Sequence, residues 1–462
     1  DVPEQGQQNA QAFWLTAEDA GKGVNAIYGN LRSYENTAFP AIAIESMGSD
    51  EAEKGSSPTD ATFFLDYDQF KIDPAQGQIS GFWNGQYRNI NYCNQVLDNV
   101  PAITMDENLK ARYLAEAKFV RALSYFRLVR AFGGVPLRLH VPVDATEYNI
   151  PRASADEVYA QIETDLTEAT AVLPQSYGAA DKGRATKGAA LALHAKVAMY
   201  LKKWSDVLDF SNQVMGLGYA LFPDYEKLFR IENENNSESV FEIQAALIPG
   251  NTAASNSQYS QVQGVKGSVG GGWGFNVPTA ELAAAFEPGD PRRDATIIFR
   301  GETTPEGDVI PAIGDNPMYN QKSYVPFSLY VSGYNEGAQQ NYRILRYADV
   351  LLMNAEAANE LGNSAQALSS LEMVRARARQ GDPNILPAVT TTNQAEIRQA
   401  IWRERRVELA MEYDRYFDVI RQGRGAEIFG PKGWIAGRNE VWPIPQSEVD
   451  LSGGLLTQNP GY

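Results

Sequence analysis

The sequence predicts a mainly α fold: tetratricopeptide-like helix pairs as a scaffold, an irregular loop-rich lobe and few short strands. Three observations predict it. Residues 346–381, RYADVLLMNAEAANELGNSAQALSSLEMVRARARQG, carry two helical patterns flanking Gly362-Asn363-Ser364. Val350, Met353, Ala357 and Leu361 share one face of the first, and Leu368, Leu371 and Val374 mark the second. An ungapped echo, AKVAMYLKKWSDVLDFSNQVM at 195–215, matches Ala195 to Ala355, Ala198 to Ala358, Leu201 to Leu361, Leu208 to Leu368 and Val214 to Val374. Between the two hairpins the texture changes, becoming Gly/Ser/Asn-rich at 250–274 and rich in Tyr, Pro and Gly at 300–341.

The elements follow in order. Residues 16–31 start with a capping Thr16 and an acidic first turn, then run as a helix. Residues 45–60 form a polar Gly/Ser-rich loop with five acidic residues, expected to be solvated, and lead into the aromatic FFLDYDQFKIDP. Helices are expected over 79–100, 106–132 (stopped by AFGGVPL) and 154–173, the last capped by Ser154. The first repeat hairpin takes 186–201 and 204–215. SVFEIQA reads as a short strand and TAELAAAF as a short helix. After the second hairpin, where Gly362 suits a positive-φ C′ position and Asn363 or Ser364 can cap, one long helix is expected over 395–420 and then a Pro/Trp-rich tail. This gives one domain, with its scaffold at about 79–230 and 341–423 and a ligand lobe at about 231–340 joined by 38–78.

Composition narrows the function. Among 462 residues the net charge is −17, which argues against nucleic-acid binding and against docking on anionic membrane through basic patches. One cysteine, Cys93, excludes an internal disulfide and cysteine-cage metals; two histidines, His140 and His194, leave little for histidine catalysis and read as surface or packing residues. No apolar run reaches the length of a membrane span, and no signal peptide is present, so Asp1 reads as a mature or trimmed start. No cofactor is implied.

Several segments in order resemble the SusD/RagB family: FWNGQYRNINYCNQVL, AEAKFVRALSYFRLVRAFGGVPL, GDPRRD, RILRYADVLLMNAEAANELG, ALSSLEMVRARA, IWRERRVELAMEYDRYFDVIRQG and the closing VWPIPQSEVD. The match runs from about Gly81 to the C-terminus, and the last two segments are its most specific part. The resemblance implies surface lipoproteins of Bacteroidetes-type bacteria that bind nutrients beside a SusC-like TonB-dependent transporter of the outer membrane. It also implies an anchor cysteine ahead of Asp1, since Cys93 lies inside a helix.

Charged motifs read as structure. Glu404, Glu408 and Glu412 share a face at i, i+4 spacing with Arg405 and Arg415 on the same side; cations there lower carboxyl pKa values, whereas a general acid needs a raised one. Asp50, Glu51, Glu53, Asp66 and Asp68 could offer oxygens to Ca²⁺, yet they lack EF-hand spacing. Nothing supports the carboxylate pair of a glycosidase.

The aromatics, 11% of the chain, carry the binding reading. Sugar rings stack their C–H faces on flat side chains while polar residues meet the hydroxyls at the rim. Trp273, amid the glycines of GSVGGGWGFN with little nearby to bury it, leads as a binding residue or lobe anchor. The family resemblance points to Trp83 as a sugar-stacking tryptophan, with core packing as its alternative. Phe275, Tyr319, Tyr324, Tyr330 and Tyr334 sit in or beside loops, and Asn84, Asp66, Tyr67 and Arg343 are their polar or flanking neighbours. The expected function is capture of oligosaccharide without catalysis. Peptide capture, a polysaccharide-degrading enzyme and a bare tetratricopeptide adaptor are the alternatives.

Overall fold

Helices begin where the sequence supplies caps. In the computed structural model, which describes residues 13–248, 250–251, 257–267, 271–330 and 339–462, α1 (Ala17–Leu31) opens on a capping box between Thr16 and Asp19. The short α2 (Phe39–Glu45) is buried along its whole length. Then come α3 (Gly77–Asn99), α4 (Glu107–Phe132, capped by Asp106) and α5 (Ala155–Val172, boxed by Ser154 and Glu157). The first repeat hairpin is α6 (Lys187–Tyr200) and α7 (Trp204–Met215); the second is α8 (Tyr347–Glu360) and α9 (Ser364–Arg379).

Each helix packs on its predecessor from α3 to α7, and α7 then packs directly on α8. The two hairpins related in sequence are thus neighbours in space, and Asn354 joins them by donating to Ser211 Oγ and Asn212 Oδ1, both at 2.9 Å. Alanines at the paired positions let the backbones approach: Ala195, Ala198, Ala355 and Ala358 are all fully buried. Gly362 takes a φ of +79° and Asn363 caps α9 by accepting from Gln366 N–H at 3.2 Å, as the sequence predicts. The closing WPIP lies inside this scaffold, with Trp442 fully buried and its Nε1 donating to the Ile44 carbonyl at 3.0 Å.

Strands are few and join distant stretches. Among the described residues three two-stranded antiparallel sheets pair β1 (Ala52–Gly55) with β3 (Phe275–Pro278), β2 (Ser239–Ile243) with β6 (Tyr342–Arg346), and β4 (Ile297–Phe299) with β5 (Met318–Asn320). Besides the main core, three smaller hydrophobic clusters lie wholly or partly among residues 225–330.

Two expectations are corrected. The long helix over 395–420 is broken: α10 (Gln394–Glu408) stops, Met411 and Tyr413 take φ values of +62° and +72°, and α11 (Arg415–Arg421) restarts the chain. The break has a use, since the freed Glu408 carbonyl accepts from Tyr225 Oη at 2.8 Å and from Lys322 Nζ and Arg346 Nη2 at 3.0 Å each. Nor is the 45–60 loop solvated throughout, since residues 45–52 are buried apart from the half-buried Asp50. Asp50 receives Arg415 and Arg406, and the buried Glu51 accepts the Met411 N–H at 3.1 Å across the helix break.

The charged helix forms the internal ion-pair network its spacing suggests. Arg292 reaches Asp290, Glu404 and Glu408; Arg346 reaches Glu238, Glu408 and Glu412; Arg377 reaches Glu238 and Glu408. Burial alone would raise the Glu408 carboxyl, but Arg377, Arg346, Arg292 and Lys322 overcome it and hold the group well below the ordinary range. Arg405 and Arg415 point to different acids, Asp349 with Asp418 for the first and Asp50 for the second.

Candidate functional site: an aromatic platform on paired loops

The pairing of β1 with β3 brings the turn after Gly55 against the turn that ends at Gly274. Ser56 N–H donates to the Gly274 carbonyl at 2.6 Å. Behind it, Trp273 N–H donates to Gln261 O and Gly274 N–H to Gly264 O, each at 2.9 Å. A side chain would break this seam, because a Cβ on Gly272 would lie 2.3 Å from the Gly264 carbonyl carbon. Trp273 therefore projects from a backbone held on both sides, which lowers the ordering cost of binding.

Two lysines knit the facing turn. Lys54, only 7% exposed, donates to the carbonyls of Gly55, Ser57 and Asp60 at 2.7–2.9 Å. Lys266 reaches across from the other loop to Ser56 Oγ at 2.7 Å, Ser57 Oγ at 2.8 Å and the Asp60 carboxylate. Hydrogen bonds from Lys266 and Ser56 hold the Asp60 carboxyl down to about 2, so this rim carries fixed charge at neutral pH.

Phe39, the first residue of α2, is the hub of the rings. Phe64 and Phe275 meet it edge-on with centroids at 4.9 Å, Trp273 at 5.7 Å and Phe63 at 6.1 Å, and Tyr34 lies tilted at 6.0 Å. Edge-to-face contacts of this kind fix ring planes. Phe39, Phe64 and Phe275 are buried, while Tyr34, Phe63 and Trp273 stay half-buried and keep surface for a ligand. Flat, partly exposed rings on a buried aromatic base, edged by Lys266, Asp60, Ser57 and the exposed Thr62, can stack a sugar ring and meet its hydroxyls.

Of the residues proposed from sequence, the platform gathers Trp273 and Phe275, the second as part of the buried base. Trp273 is less isolated than its glycines suggest, since Phe39 supports it. Trp83 is 3% exposed, tilted against Tyr87 at 4.9 Å and edge-on to Phe132 at 5.3 Å. It lines a separate cleft of about 290 Å³ with the exposed Asn84 and Tyr148 and the half-buried Tyr87, Asn91 and Arg138. Asp66 accepts from Gln76 Nε2 at 2.8 Å. Tyr67 is fully buried beside Trp442. Tyr324 is buried in the lobe, with Oη bonded to Asp308 and Thr304. Arg343 is buried beside Glu242 and over Phe229. Burial keeps Tyr67, Tyr324 and Arg343 from offering a surface. Tyr319 is buried too, Tyr330 stacks on Phe327, and Tyr334 lies outside the described residues.

Sequence reasoning missed Tyr34, Phe39, Phe63, Lys54, Lys266 and Asp60. Only the run of adjacent phenylalanines after the SSPTD turn hinted at them, because the pairing that assembles them joins residues far apart in the chain. The acidic residues weighed as Ca²⁺ ligands are dispersed, and Arg or Lys already neutralises two of them: Asp50 meets Arg415, and Asp68 meets Lys432 at 2.6 Å. Among the described residues no group of three or more metal-ligating side chains converges.

Comparison with known proteins agrees with this architecture. The SusD family model matches residues 237–433, and a second, described as starch-binding associating with outer membrane, matches residues 15–201. SusD-like protein P2 of Formosa agariphila is 29% identical over 98% of this chain and 94% of its own length. The starch-binding protein SusD of Bacteroides thetaiotaomicron is 24% identical over 81% of this chain and 77% of its own. A solved laminarin-binding SusD-like protein superposes with a TM-score of 0.84 at 31% identity, covering 97% of this chain and 100% of that one. Likeness at that identity along nearly the whole of both chains, with both family models matching, places the chain in the SusD family.

Proposed function

We propose that this protein captures oligosaccharides at the bacterial surface and delivers them to a SusC-like TonB-dependent transporter of the outer membrane. The observation that carries the reading is the half-buried Trp273, edge-on to Phe39 and pinned by backbone hydrogen bonds beside a charged polar rim. Relatives described as laminarin-binding and starch-binding support glycan as the ligand class. The family description supports association with the outer membrane, and in this reading a lipid anchor holds the protein on the extracellular face.

Binding without catalysis accounts for the carboxylates. Glu404, Glu408 and Glu412 are paired with buried arginines, and the raised Glu51 is buried and tied to the Met411 N–H, so none of the four is poised to protonate a leaving group at the platform. The test is calorimetric titration with laminarin, starch and other glycans, with reducing ends assayed in parallel. Saturable binding without new reducing ends is expected. Turnover abolished by one carboxylate substitution contradicts it, and saturable binding of peptides in place of every glycan moves the ligand class to peptide.

A further inference from the structure

The helical scaffold carries a second aromatic recess, built from none of the platform's residues. It opens where the turn between α6 and α7 meets α8, α10 and α11, and it encloses about 310 Å³, at the lower end of the roughly 300–1000 Å³ of ligand sites. Trp204, the first residue of α7, and Trp402 on α10 both line it and are both half-buried. Trp402 is fixed in plane: its Nε1 donates to Glu356 Oε1 at 3.0 Å, and the Arg424 guanidinium lies over its ring at 5.6 Å.

The charged walls are paired. Arg421 grips Glu356 by two bonds at 2.8 and 2.9 Å, and Arg398 grips Glu360 by two at 2.6 and 2.7 Å. Such fork-to-fork pairs are rigid and still leave carboxylate lone pairs for hydroxyl donors. Two polar groups remain unspent. Among the described residues Gln422 Oε1 is buried without a partner, and no hydrogen bond or ion pair engages the exposed Lys202 side chain, held at the turn by a backbone φ of +55°. With both pairs neutral, Lys202 gives the recess a net positive charge on a chain of −17.

We infer that this recess is a second saccharide site, selective for a ring that bears a carboxylate, as uronic acids do. The indoles take the ring's C–H faces, the paired carboxylates take its hydroxyls, and the Lys202 ammonium takes its acid. The inference shares the glycan reading of the ligand class but not its site.

Calorimetric titration of the full chain with trigalacturonate, and with neutral galactotriose as comparison, tests it. The acid sugar is expected to bind saturably and more tightly than the neutral one. Trp204→Ala weakens it by about tenfold, a change worth about 1.4 kcal/mol. Lys202→Gln, a surface change that leaves packing alone, reduces the acid to the neutral sugar's affinity. The inference is overturned by absence of saturable trigalacturonate binding, or by affinity unaltered in both Trp204→Ala and Lys202→Gln. Loss of the acid sugar in Trp273→Ala alone overturns it too while leaving the platform's reading intact.

Discussion

Gly55 and Gly274 meet backbone to backbone: a Cβ on Gly55, whose φ is +67°, would lie 2.3 Å from the Gly274 carbonyl oxygen. That contact seats Trp273, since the same carbonyl accepts from Ser56 N–H and from Asn316 Nδ2 at 2.8 Å. Gly55→Ala must move one turn or the other. It is expected to cost about 1–3 kcal/mol in urea denaturation. Glycan affinity, read by calorimetry on the folded variant, should fall as well; unchanged affinity would separate the seam from the platform.

Glu408 joins Arg292, Arg346 and Arg377 inside the scaffold. Glu408→Gln leaves three buried guanidiniums short of a charge and is expected to lose about 3–5 kcal/mol at pH 7. The folded carboxyl lies below its ordinary 4.5, so its contribution is present above that pH and fades as pH falls through the lowered value. The gap between variant and wild type should therefore hold from pH 7 to 4.5 and narrow below it, as denaturant titrations at several pH values will read.

Glu51 has the opposite sign. Burial, opposed by Arg415 and assisted by Asp50, raises its carboxyl to about 7 from an ordinary 4.5. Ionising it costs folding free energy, so its own contribution to stability is greatest below pH 4.5 and is lost as pH rises through 7. Glu51→Gln keeps an acceptor for Met411 N–H and removes the charge. It should match wild type near pH 4.5 and exceed it by up to about 3 kcal/mol at pH 8. Equal stability of the two proteins at pH 8 would show that Glu51 is not raised.

Local signals carried most of the scaffold. Thr16, Asp106, Ser154 and Asn363 mark helix starts because caps act within three residues, and the alanine echo of the two hairpins reports a packing that repeats. The break after Glu408 was hidden: Leu409, Ala410, Met411 and Glu412 are good helix formers, and what stops them is the set of donors that Tyr225, Lys322 and Arg346 bring from elsewhere. The site was half legible for the same reason. Trp273 stands out among its glycines, but Phe39 and Phe63 join it only through a strand pairing that links Gly55 to Phe275. Tyr67, Tyr324 and Arg343 looked available in loop-rich text, yet Trp442, Asp308 and Glu242 stand beside them in the interior.

Flat rings on paired loops, displayed by a passive helical frame, are expected to hold the glycan. Calorimetric titration of wild type and Trp273→Ala with laminarin is the decisive measurement, with circular dichroism confirming that both are folded. Saturable binding by the wild type and a loss of at least about tenfold in the variant are expected. Equal laminarin affinity in the two proteins would contradict that expectation.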